Sequence, residues 1–153
     1  MKHHKLYGSL ILCVFLFTFS THGHVVTAEI SFGELIDKIT ILTIKSQRIT
    51  DREKLKNVHT ELISLQDTCN ACIGTRNDIA ELQALLQKIN AELWDIEDAI
   101  RIKERNQAFD DEFINLARSV YITNDKRCAV KKQIDALLGS HITEEKSYEK
   151  LTY

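Results

Sequence analysis

Cys69 and Cys72 stand in a C-x-x-C arrangement, the first place in this chain where residue type and spacing could do chemistry. A redox pair of this kind works at a helix N-terminus, where the dipole favours a thiolate. Here the pair closes a helical segment that stops at Gly74, which is the opposite end. A tetrahedral zinc site would need further ligands, and outside the leader only Cys128 remains. The pair therefore reads as thiols continuing an apolar seam, with a local Cys69–Cys72 disulfide open to them in an oxidising compartment. No metal and no cofactor is expected.

A second constellation surrounds Trp94, the sole tryptophan. At helical spacing it shares a stripe with Asn90, Glu97 and Arg101. Tyr121, Asn124 and Arg127 answer it from a later helix. Trp94, Glu97, Arg101, Tyr121, Asn124 and Arg127 thus form a candidate ligand pocket. The plainer reading is packing, with Trp94 as an anchor for the shorter helices and Glu97–Arg101 as an i,i+4 pair. Arg127 occupies a seam position, where a charge is costly unless it is paired or reaches water. Antiparallel pairing sets it level with Gln87–Glu92, so Asn90 and Glu92 are its expected partners, with Asp37 third. Other catalytic templates fail. Only His59 lies in a core segment, and the chain has no H-E-x-x-H, glycine-rich phosphate loop or G-x-S-x-G elbow. No catalytic residue is assigned.

Helices must position these residues. In Asn77–Arg105 the apolar residues Ile79, Leu82, Leu86, Ile89, Leu93, Ile96 and Ile100 recur at alternating spacings of three and four, a coiled-coil-like seam around which the chain is expected to be organised. The next segment carries Phe113, Leu116, Val120, Thr123, Arg127, Val130, Ile134 and Leu137, and Gly139 ends it. Each is roughly 40–45 Å long at 1.5 Å per residue. Upstream, Ser31 and Glu34 form an S-x-x-E capping box before an apolar run through Ile44, and Thr50 and Glu53 form another. Leu55, Val58, Leu62 and Leu65 follow. The β-branched run ITILTI fits a strand by propensity, but the capping box and the length favour a helix. Asn77 is the expected cap of the Trp94 helix. Zero proline and five glycines suit long helices with short links. The expected fold is all-α: an antiparallel bundle of four helices with a long C-terminal hairpin, and a tail that frays from about residue 140.

The N-terminus has a different character. MKHHKLYGS, the apolar run Leu10–Phe19 and the small-residue exit STHGHVVTA have the three parts of a secretory signal peptide, with cleavage after Gly23 or Ala28. Residues 1–28 are accordingly read as the leader and 29–153 as one helical domain. An uncleaved anchor is the alternative, although the apolar run is about half of what spans a bilayer. A secreted or periplasmic protein follows, with no stable membrane span in the mature chain. Net charge is −2, and loss of Lys2 and Lys5 with the leader makes it −4. Such a chain lacks the basic footprint of a nucleic-acid binder.

The blocks ISFGELIDKITILTIKSQRI, ELWDIEDAIR, FINLARSVYITNDKR and EEKSY resemble a small all-helical bacterial and viral domain family of unknown function. The resemblance spans about Glu29 to Tyr148. It implies an all-helical fold and carries no catalytic assignment, and the leader departs from the family pattern. Two functions remain. One is an exported, noncatalytic module that binds a protein partner or itself. The other is a helical-bundle enzyme or binder acting on a small anionic metabolite through an Arg/Asn/Glu pocket.

Overall fold

The computed structural model describes residues 26–74 and 76–147. Most of the leader, the Gly23 cleavage point and Tyr148 of the EEKSY block lie outside them. The described residues form four helices and no strand: α1 (Phe32–Arg48), α2 (Arg52–Ile73), α3 (Ala80–Arg105) and α4 (Asp111–Leu138). None is long and apolar enough to cross a membrane.

α1 starts where the capping box places it. Ser31 is the N-cap, and its hydroxyl accepts from the Glu34 amide at 3.2 Å. Glu34 does not complete the box; its carboxylate pairs with Lys131 of α4. The ITILTI run is helical because it is enclosed. Ile39, Leu42 and Ile44 are all buried, so contacts on several sides override the local β preference. Two expected caps move. Asp51, not Thr50, caps α2 and accepts from the Lys54 amide at 2.9 Å. Asn77 sits in the turn before α3, and Ile79 is the N-cap without any side-chain cap. Asp110 caps α4, accepting from the Phe113 amide at 3.0 Å. Each such side-chain cap contributes about 1 kcal/mol. Gly139 ends α4 at φ 68°, the left-handed conformation that glycine adopts without a Cβ penalty.

The organising element is α1 rather than α3. It packs on all three other helices, while α2 packs extensively only on α1. α3 and α4 form the long antiparallel hairpin, and α1 closes its open end. The core joins Ile36 of α1, Ile79 beside α3, Leu86, Ile89 and Leu93 of α3, and Val130 and Ile134 of α4. Burial of side chains of this size contributes roughly 1.5–3 kcal/mol each. α2 buries only Val58 and lies outside the other three, so the four helices do not share one central seam.

The tail expected to fray is held as far as it is described. Residues 140–147 leave the helix but turn back along α4. Lys131 Nζ meets Glu144 at 2.8 Å, and Lys132 Nζ meets Glu145 at 3.0 Å.

Candidate functional site

α4 presents Thr123, Arg127, Lys131 and Asp135 at every fourth position, a polar ladder along one face. Thr123, Lys131 and Asp135 are buried and Arg127 is half-buried. At the foot, Asp135 accepts the Gly33 amide of α1 at 2.6 Å, satisfying a donor of the first helical turn from a different helix. The approach is so close that a Cβ on Gly33 would fall 2.5 Å from the Lys131 carbonyl oxygen. One rung higher, Lys131 Nζ is 2.6 Å from Glu34. Burial alone would lower the Lys131 pKa. Hydrogen bonds to Glu144 and Glu34, with the nearby charges of Glu34 and Asp37, outweigh that and raise it.

The Arg127 rung is the centre of the site. Its Nε lies 3.7 Å from Oδ1 of Asp37, a carboxylate only 2% exposed. Asn90 of α3 completes the layer, donating to Asp37 at 2.8 Å and to the Thr40 hydroxyl at 2.9 Å. Asp37, the third candidate, is therefore the partner of Arg127. Asn90 supports that carboxylate instead of pairing with Arg127 directly. Glu92 is occupied otherwise, lying 3.5 Å from Thr123 Oγ1. Among the described residues no buried side-chain nitrogen or oxygen lacks a hydrogen-bond partner.

Beside this layer a cleft of about 350 Å³ opens where α1, α3 and α4 meet. Trp94, Glu97, Arg101, Asn124 and Arg127 all line it, with Ile41, Asn90, Leu93 and Asp98. Tyr121 does not; it is an exposed side chain farther along α4. Glu97 and Arg101 form the expected i,i+4 pair. The guanidinium of Arg48 lies 5.8 Å from the centre of the Trp94 ring and also pairs with Asp95, fixing the indole at the end of α1.

Thr40, Lys131 and Asp135, and the tie of Glu34 to Lys131, escape a search for isolated motifs. The regular four-residue spacing from Thr123 to Asp135, immediately beside the apolar seam, is the sequence signal that could have found the ladder.

The C-x-x-C pair lies in the last turn of α2, as its spacing implies. Cys69, Cys72 and Cys128 are free thiols in this structure, with Cys72 exposed and the other two half-buried. Burial, and then the neighbouring Cys72, push the Cys69 pKa up. That is the wrong direction for a nucleophilic thiol. No group of three or more His, Cys, Asp or Glu among the described residues could hold a metal ion.

No curated protein and no solved structure gives a significant match to the chain. A family model does match, over residues 26–152, and it takes in all four helices, the polar ladder and the cleft. The chain belongs to the family of unknown function DUF6165.

Proposed function

We propose that this protein is an exported, noncatalytic assembly module whose hairpin end joins a second copy of the chain. The observation that carries the reading is the burial pattern of the α3–α4 hairpin. From Trp94 to Ile122 no residue is buried, although the stretch contains Ile96, Ile100, Phe113, Leu116 and Val120 at core-like spacing. Ile102, Phe109 and Ile114 are about half exposed. Apolar groups grouped at one end of a molecule favour removal from water against another surface.

Charge selects a copy of the same chain as the occupant. The α3 side of the tip ends in Arg101, Lys103, Glu104 and Arg105, net basic although Arg101 is paired with Glu97, and the α4 side begins with Asp110, Asp111 and Glu112. Lys103 already bridges Asp110 and Glu112 within the chain. A two-fold axis at the tip would set each basic edge against the partner's acidic edge, as a self-complementary interface requires. Export rests on the three-part leader, whose basic start and apolar run lie before the start of the family match at residue 26.

Sedimentation equilibrium and intact mass of the exported protein test both parts. The expected result is a dimer whose chains begin at His24 or Glu29. The double variant Ile102→Glu, Ile114→Glu should be monomeric at unchanged helicity. A wild type that stays monomeric up to its solubility limit would end the assembly reading. A chain still beginning at Met1 would end the cleaved-leader reading.

A further inference from the structure

We propose that the cleft beside Arg127 is a binding site for a small monocarboxylate with a flat apolar body. The site is separate from the hairpin tip, and the inference does not depend on assembly.

The first observation is how Arg127 is held. Its Nε faces the buried Asp37, and Asn90, itself held by the Thr40 hydroxyl, donates to that carboxylate. The outer Nη groups of Arg127 have no hydrogen-bond partner among the described residues, and the side chain remains 28% exposed in the wall of the cleft. A guanidinium whose Nε side faces a buried carboxylate presents its outer edge as a planar pair of donors, the geometry that matches a carboxylate. Asn124 lies in the same wall, one α-helical turn before Arg127, and can supply a further donor.

The second observation is what surrounds that fork. Trp94, Leu93 and Ile41 line the same cleft and offer apolar surface to the body of a ligand. Arg48 and Asp95 hold the indole in place, so the wall is formed before any ligand arrives.

The third observation sets the ligand's charge. Arg101 is paired with Glu97, and Asp98 is a second carboxylate in the lining without an ion-pair partner among the described residues. Arg127 is thus the one cation in the lining not taken up by an acid of the lining itself. Its charge is shared with Asp37 behind it, so what it offers a ligand is the directed donors of its outer edge, enough for one carboxylate, and no surplus of positive charge. A phosphate dianion would face Asp98 and Glu97 without enough positive charge to offset them.

Trp94 is the sole tryptophan, so its emission reports directly on this cleft. The full chain is titrated with phenylacetate, with benzyl alcohol as the uncharged counterpart and with inorganic phosphate. Phenylacetate should give a saturable change in Trp94 emission, and benzyl alcohol should bind about tenfold more weakly or not at all. Phosphate should neither bind nor compete. Arg127→Lys keeps the charge but loses the planar fork, and should weaken phenylacetate binding about tenfold. Asp98→Asn breaks no hydrogen bond or ion pair among the described residues and removes a repelling carboxylate, so it should tighten binding several-fold, a change of sign that a packing role would not produce. The proposal fails if phenylacetate gives no saturable change, if benzyl alcohol binds equally well, if phosphate competes, or if Asp98→Asn weakens binding. If Arg127→Lys does not fold, the ligand series and Asp98→Asn still decide the matter.

Discussion

At Asp37 a carboxylate is buried with its solvation replaced by the Asn90 amide, which the Thr40 hydroxyl orients, and by one side of a guanidinium. Removing one partner from such a group costs more than the pair itself contributes, because the remaining charge is left without compensation. Arg127→Leu is therefore expected to lower stability by about 1–3 kcal/mol, the range for leaving a buried carboxylate without its half-exposed ion-pair partner. The double variant Asp37→Asn, Arg127→Leu removes both charges and should recover most of that loss. Chemical denaturation of the two single variants and the double variant measures the coupling directly. Equal losses that simply add would show that the two side chains do not share their charge. The cysteines differ in kind. Cys69 lies on the packed side of α2 and Cys72 on its open side, so Cys72 should react with a thiol reagent faster than Cys69.

Gly33 belongs to the scale of elements, because its missing Cβ decides how closely α1 and α4 approach. Gly33→Ala would put a methyl group 2.5 Å from a backbone oxygen that has no side-chain freedom to move away. The helices must separate, and the 2.6 Å bond from the Gly33 amide to Asp135 is lost with the contact. A loss of about 2–3 kcal/mol is expected, of the size that overpacking and a stranded polar group produce. Thermal unfolding of Gly33→Ala against the wild type checks it. The same pair of helices shows what was legible in the sequence. The α3 and α4 seams read correctly as helices facing each other because their period is long and regular. The central role of α1 was not legible. Its apolar residues point several ways, and a period identifies a face without naming the helix that covers it. The pocket residues on α3 and α4 could be grouped by helical spacing alone. Asp37, whose partners lie on two other helices, could be offered only as one candidate among three. Local composition also misplaced two caps, since Thr50 and Asn77 each had a competing residue within two positions.

On the scale of the whole molecule, Lys131 ties together α1, α4 and the returning tail through Glu34 and Glu144. The hydrogen bond from Lys131 holds the Glu144 pKa below its ordinary value of 4.5. A carboxyl with a depressed folded pKa stabilises the tied state fully above its ordinary value, and the contribution is lost as pH falls through the depressed one. Lys131 acts at the other limit. Its raised pKa gives a contribution that is full below 10.5 and is lost as pH rises through the folded value. The tail should therefore stay docked between these limits and detach first on acidification. NMR amide shifts of residues 140–147, followed downward from neutral pH, should move before those of Ile134 or Leu86. Simultaneous movement would show that the tail and the core open as one unit.

The Gly33–Asp135 contact joins residues 102 positions apart, and this has a consequence for synthesis. A ribosome adding about 5–20 residues per second completes α1 seconds before Asp135 exists. Throughout that interval Ile36 lacks the α4 residues Val130 and Ile134 that complete its cover. α2, which buries only Val58 in the finished protein, emerges next and can lie on α1 long before the hairpin is complete. It thus acts as an early escort for the most apolar helix of the fold. A chain ending at Arg105 should bind an apolar dye that the complete chain excludes, and deletion of α2 should cause aggregation during expression more than loss of stability afterwards.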